Sequence, residues 1–400
     1  MITESYTQKE LNTMLLKADS LEKIKKALDM GANVNAINEN GFTRLMYAKG
    51  VEVVNLLIEA GADVNAKTED GKTALMYAVE GQFGFYNIEA IKLLIDAGAD
   101  VNAKDKHGRT VLMYAIRAGY ALEPIKWLID AGADVNAKTK DGTTVLMDVF
   151  VRDIFDHFTE EMISKVVKWL INAGADVNAK TEVGWTALMG ARTAEQSKLL
   201  IEAGADVNAK TEDGKTALYY AILESSLYDD TFLSDKVKQM RVLIDAGADV
   251  NARTKMGYTP LMYAETAEEV KLLIRAGADV NAKDEDGETA LMATPFTGVR
   301  DALIEAGAHI PDDKYLEEHK WLQRGVNKVS EQRKAKAADL KKRLKAKSHK
   351  KTVSGAVFAD AIAKMKLAGE IEGDVTPDRA KKIITKMMRD RALNEQNDKK

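Results

Sequence analysis

The hexapeptide Gly-Ala-Asp-Val-Asn-Ala occurs seven times in this chain, beginning at Gly61, Gly98, Gly132, Gly174, Gly204, Gly247 and Gly277. A variant runs from Gly31 to Asn35, and a decayed copy from Gly307 to Pro311. Successive glycines are 30 to 43 residues apart. Self-similarity at such a period is the mark of a stacked repeat architecture and overrides any domain count based on length. A unit of this size is one supersecondary element that cannot bury its own apolar side. Neighbouring units must supply the missing partner, so the core runs along a stack.

Every unit has the same internal order. Between Gly61 and Ala97, Asp70-Gly71 is a turn dipeptide, Thr73 is an N-cap, and Ala74 to Ala78 opens a short helix. Ile88, Ile91, Leu94 and Ile95 recur at helical spacing and predict a second helix, ended by Ala97-Gly98. Each unit therefore reads as finger, helix, loop, helix.

The segment from finger to first helix carries the most specific signal. It contains the hexads Thr43 to Ala48, Thr73 to Ala78, Thr110 to Ala115, Thr144 to Val149, Thr186 to Ala191, Thr216 to Ala221, Thr259 to Ala264 and Thr289 to Thr294. These eight copies, in phase over about residues 20–310, resemble the ankyrin repeat, whose signature is a turn, then Thr-Pro-Leu-His-x-Ala, then two antiparallel helices. The resemblance implies an all-α dominated solenoid of helix pairs with β-hairpin fingers, acting as a non-enzymatic protein–protein interaction module. The sequence departs from the family at the hexad histidine, which is Met in seven copies and Tyr219 in the other. A histidine there would tie neighbouring hairpins by hydrogen bonds. Methionine shifts the burden to apolar packing. Residues 1–30 lack a finger and read as two N-terminal capping helices, and 31–310 as the repeat solenoid.

Differences between copies point to a binding surface. The residue after the turn glycine is Phe42, Lys72, Arg109, Thr143, Trp185, Lys215, Tyr258 or Glu288. Aromatic and arginine side chains are the usual anchors of protein interfaces. Phe42, Arg109, Trp185 and Tyr258 are therefore candidate partner-binding residues at the finger tips, reached across the concave face of the solenoid. Two units carry insertions between their helices. Phe155 and Phe158 lie in one, Tyr228 and Phe232 in the other, and these are further partner-binding candidates. An equally physical reading folds these rings back over the neighbouring helices or fingers.

Other patterns carry no chemistry. Ala66 to Thr73 and Ala209 to Thr216 fit a relaxed phosphate-loop pattern. A phosphate loop needs a strand, a glycine-rich turn and a helix with amides facing the anion, whereas here Glu69-Asp70 would repel phosphate. The five histidines have no metal or catalytic spacing, and the recurring aspartates mark turns rather than one acid in a unique environment. There is no cysteine, hence no thiol catalysis and no cysteine-ligated metal. The expectation is no enzyme, no cofactor and no metal. No apolar run approaches the roughly 18 residues of a membrane span, and Met1 to Ser5 lacks a signal-peptide pattern, so the expected partner is not a membrane and the expected location is the cytoplasm.

Beyond Pro311 the charge changes sign. Residues 311–400 hold 24 Lys+Arg and 14 Asp+Glu, whereas 1–310 hold 34 and 48. Residues 312–400 read as a small basic helical C-terminal module. Lys334, Lys336, Lys341, Lys342, Arg343, Lys345 and Lys347 would form its footprint on a nucleic-acid backbone. Simpler readings are a solvated face, or docking on the acidic solenoid or on an acidic partner. An effector or inhibitor that neutralises a target protein is a further reading, carried only by analogy with bacterial and viral ankyrin proteins.

Overall fold

The computed structural model describes residues 6–81, 88–151, 158–223, 230–311 and 313–318, together with 331, 334, 335 and 338; residues 230–234, 313, 314 and 318 are described as backbone only. The chain divides into two compact units, Met1–Asp249 and Val250–Lys400.

The first unit opens with two helices, α1 (Gln8–Lys17) and α2 (Leu21–Asp29), as expected for a cap without a finger. A reciprocal box holds the start of α1: the Thr7 hydroxyl accepts from Glu10 N–H, and the Glu10 carboxylate accepts from Thr7 N–H at 2.8 Å. Helix pairs follow in chain order. A short 3-10 turn, Arg44–Tyr47, pairs with α3 (Val51–Glu59). Next come α4 (Ala74–Glu80) with α5 (Ile88–Asp96), α6 (Val111–Ala118) with α7 (Leu122–Asp130), and α8 (Val145–Asp148) with α9 (Glu160–Asn172). The last pairs of this unit are α10 (Ala187–Gly190) with α11 (Ala194–Glu202), and α12 (Ala217–Leu223) with α13 (Asp230–Asp245). The second unit has the 3-10 turn Pro260–Tyr263 with α14 (Ala267–Arg275), α15 (Ala290–Ala293) with α16 (Thr297–Glu305), and α17 (Asp313–Glu318). No described helix is long and apolar enough to cross a membrane.

The first helices are short because their hexads begin at a threonine cap and end one or two turns later. Leucine at the third hexad position is sealed in the core in every copy, from Leu45 to Leu291. Second helices bury one apolar stripe, such as Ala90, Ile91 and Leu94 of α5. The hexad methionines fill this core, but two of them also act as acceptors: Thr144 N–H donates to Met147 Sδ at 3.5 Å and Thr259 N–H to Met262 Sδ at 3.4 Å. The thioether thus satisfies a backbone donor near the position where the sequence lacks histidine. The hydroxyls of Thr43, Thr110, Thr144, Thr186, Thr259 and Thr289 remain buried without a hydrogen-bond partner among the described residues.

The fingers are tight turns. Thr68 N–H donates to Lys72 O at 3.0 Å and Gly71 N–H to Thr68 O at 2.8 Å. Isolated antiparallel bridges join Ile37 to Thr43, Lys104 to Thr110, Lys138 to Thr144 and Lys283 to Thr289, and no strand forms among the described residues. The arms flanking each turn are too short for a ladder. Adjacent fingers share a backbone bond instead: Lys106 N–H donates to Asp70 O at 2.7 Å and Glu212 N–H to Val183 O at 2.9 Å. That approach requires glycine. A Cβ on Gly184, already at φ +80°, would lie 2.9 Å from Lys210 O.

The recurring asparagine forms a second seam. Asn102 Nδ2 donates to Gly132 O at 3.1 Å, and Asn102 Oδ1 accepts from Asp134 N–H at 2.7 Å. Asn35, Asn65, Asn136, Asn178 and Asn208 repeat this pair of bonds within the first unit, and Asn251 does so within the second. In the cap, Asn12 Oδ1 accepts from Asn33 N–H at 2.9 Å while Gln8 donates to Gly31 O at 3.1 Å, so two helical side chains replace the missing finger.

Candidate interaction surface

Two columns of side chains line the finger-facing side of the first helices. One is the residue after each turn glycine, and the other is the fifth residue of each hexad. In the first unit the Phe42 ring is half-buried and meets the Tyr77 ring with centroids 5.2 Å apart. Lys72 bonds Glu80 at 2.8 Å, and its ammonium lies 4.7 Å from the Tyr114 ring centroid and 5.3 Å from that of Tyr77. The phosphate-loop-like lysine is therefore committed to a carboxylate and two aromatic faces.

Further along, the Tyr114 hydroxyl donates to Asp105 Oδ2 at 2.7 Å, while Asp105 Oδ1 accepts from the backbone N–H of His107 and of Arg109 at 2.8 Å. Burial pushes the Asp105 carboxyl up, but these bonds outweigh it and hold the group below its ordinary range. Burial and the bond to Asp105 both raise the Tyr114 hydroxyl. Arg109 is half-buried and Thr143 likewise. Arg117, at the end of α6, donates to Asp148 Oδ1 at 2.6 Å. Asp148 has no exposed side-chain surface, and burial raises its carboxyl despite the guanidinium beside it.

Trp185 is half-buried, and its ring occupies the space over Gly190. A Cβ there would lie 2.6 Å from two ring carbons and 2.7 Å from Phe150 Cβ. Gly190 stands at the fifth hexad position, where five other copies carry Tyr47, Tyr77, Tyr114, Tyr220 and Tyr263. The glycine makes room for the tryptophan. Around it, Val183 and Val151 are 56% and 36% exposed. Lys215 lies 5.4 Å from the Tyr219 ring centroid. In the second unit, Tyr258 is half-buried edge-on to Tyr263 at 5.6 Å, beside Met256, which is 53% exposed, and Glu288 is exposed.

Several expected site residues therefore change character. Phe42, Trp185 and Tyr258 are not free tips; each is half-buried, against Tyr77, Gly190 and Tyr263 respectively. The turn residues before the glycine, such as Val183 and Met256, are the true apices. Phe158 is only 4% exposed and packs inward, which removes it from the surface. Phe155, Tyr228 and the side chain of Phe232 lie outside the described residues, as do Lys336, Lys341, Lys342, Arg343, Lys345 and Lys347. Lys334 is helical and exposed. The Arg117–Asp148 pair is an addition. Its sequence signal was an aspartate standing alone among tyrosines, glycine and alanine at the fifth hexad position.

Comparison with known proteins agrees with this architecture. A family model for ankyrin repeats in three copies matches residues 11–105, 49–139, 159–233 and 232–310. Among solved structures, an ankyrin repeat domain from Acinetobacter baumannii AYE is 30% identical, covers 50% of this chain and 100% of its own, and superposes with a TM-score of 0.43. No curated protein matches the chain. With the family model spanning most of the repeat region, and finger, helix pair and asparagine seam recurring in each copy, the chain belongs to the ankyrin repeat family.

Proposed function

We propose that this chain is a non-enzymatic interaction module that binds a protein partner through the side-chain row along its fingers and first helices. Ankyrin repeats in general serve protein–protein recognition. The observation that supports this surface is Trp185: a half-buried ring seated over Gly190, in the same part of the first unit as the exposed Val183 and Val151. A large rigid aromatic held in place loses little entropy on binding, and a charged rim around it is the usual anatomy of a binding hot spot. Arg109, Arg117 and Lys215 add positive charge along the same row of the first unit.

Affinity capture on wild-type chain and on Trp185→Ala, each checked for folding by circular dichroism, tests this reading. Proteins retained by the wild type and lost from the variant are the expected result. An identical retained set from both would remove the surface from consideration. The nucleic-acid reading rests on the charge of residues 311–400 alone, and no geometry in the described residues adds to it.

A further inference from the structure

The hydrogen-bond inventory around Arg109 and Arg117 is unbalanced. Asp105 accepts from Tyr114, His107 and Arg109 N–H. Asp141 accepts from the hydroxyls of Thr139 and Thr143. Both carboxylates are thus engaged by donors of the fold. The Arg109 guanidinium, half-buried, makes no hydrogen bond or ion pair among the described residues. Arg117 places one nitrogen on Asp148, is 38% exposed, and makes no other side-chain hydrogen bond among the described residues. Both guanidiniums act on Asp148, Arg117 by contact and Arg109 through space.

Asp148 itself is a costly choice. It is fully buried, and its Oδ2 accepts no hydrogen bond among the described residues. Five other copies place tyrosine at this position, so the fold does not ask for a carboxylate there. A residue that breaks the local rule at a cost is expected where function needs it. What Asp148 does is fix the Arg117 fork on the finger-facing row.

We propose that Arg109 and Arg117 form a two-guanidinium clamp for an aspartate or glutamate side chain of the protein partner, with Asp148 as the residue that positions Arg117. A planar guanidinium matches a carboxylate through two parallel N–H···O bonds, which lysine cannot reproduce. The apolar group flanking that acid in the partner meets Trp185 and Val151. This inference rests on the interaction reading above and names the chemistry of its partner.

The test is selection of binders to the full chain from a displayed library of random linear peptides. Selected peptides should carry an Asp or Glu. Arg109→Gln, which removes a guanidinium that makes no hydrogen bond among the described residues, should weaken them about tenfold to a hundredfold, as should Arg117→Gln. Lys168→Gln, an exposed cation on α9, should leave binding unchanged. Changing the peptide's Glu to Gln should cost at least that factor in the wild type, less in Arg109→Gln or Arg117→Gln, and nothing further in the double variant Arg109→Gln/Arg117→Gln. Asp148→Asn should weaken binding in the wild type but add no loss in the Arg117→Gln background, which a merely structural role would not produce. Peptides without an acid, or insensitive to both arginine substitutions yet lost in Trp185→Ala, overturn the clamp and leave the surface reading standing. No selected binder, or binders indifferent to all three substitutions, overturns both.

Discussion

Replacing Arg117 by methionine keeps most of the apolar stem and removes the charge that faces Asp148. The carboxylate it leaves is fully buried, with one oxygen already unpartnered. Breaking a fully buried ion pair in this way costs about 3–5 kcal/mol. Arg117 is 38% exposed, so water can enter the gap and screen part of that cost. We expect about 2 kcal/mol, or roughly a thirtyfold rise in local opening. The effect should also depend on pH with a definite sign. Burial holds the folded Asp148 carboxyl above its unfolded value of 3.8. A carboxyl raised in this way contributes stability that is fully present below the unfolded value and lost as pH rises through the folded one. Removing Arg117 raises the folded value further. The deficit of Arg117→Met is therefore largest near neutral pH and shrinks on acidification towards the protonated form. Repeat proteins need not unfold in one step, so hydrogen exchange resolved by segment is the proper assay. Amides of α6 and α8 should exchange about thirtyfold faster at about pH 7, less so at about pH 5, while α1 and α2 stay unchanged. The double variant Arg117→Met/Asp148→Leu should recover most of the loss, because two apolar residues of similar volume replace a buried pair at little cost. A deficit that grows on acidification, or a double variant no better than the single one, would show that the buried Asp148 charge is not what Arg117 compensates.

Three further outcomes follow from the packing. Arg44 is 5% exposed and donates to Ala18 O at 3.2 Å and Tyr47 O at 3.1 Å. Arg44→Ala should cost about 1–3 kcal/mol and loosen α1 and α2 first, measured as faster exchange of the cap amides. Gly190→Ala forces the Trp185 ring from its seat; overpacking of this kind costs about 1–3 kcal/mol, and tryptophan fluorescence should shift along with the melting temperature. Asn102→Ala removes two bonds across one seam at an exposed site, worth about 1 kcal/mol together, with faster exchange confined to the Gly132–Asp134 turn as the readout.

The repeats were legible because their signals are local. Gly-Ala-Asp-Val-Asn, the turn glycines and the threonine caps act on their own backbone within a few residues, and the leucines and isoleucines mark helix faces by spacing alone. The two cap helices followed from the same rules, although the stand-in role of Asn12 and Gln8 did not, since nothing in their local pattern differs from an ordinary helix surface. Most of the hexad methionines pack in the core, as their spacing predicts. That Met147 and Met262 accept a threonine N–H depends on rotamers no spacing reveals.

Turn chemistry, capping and apolar periodicity need no knowledge of neighbours, so the unit, its order and its number are written in the residues themselves. How far each finger residue is covered depends on the units stacked around it. Trp185 is half-covered because Gly190 vacates a tyrosine's place, Phe158 turns inward, and Arg117 meets Asp148 across 31 residues of chain. Burial of a side chain is set by the unit stacked against it, and contacts between units form only when the stack closes.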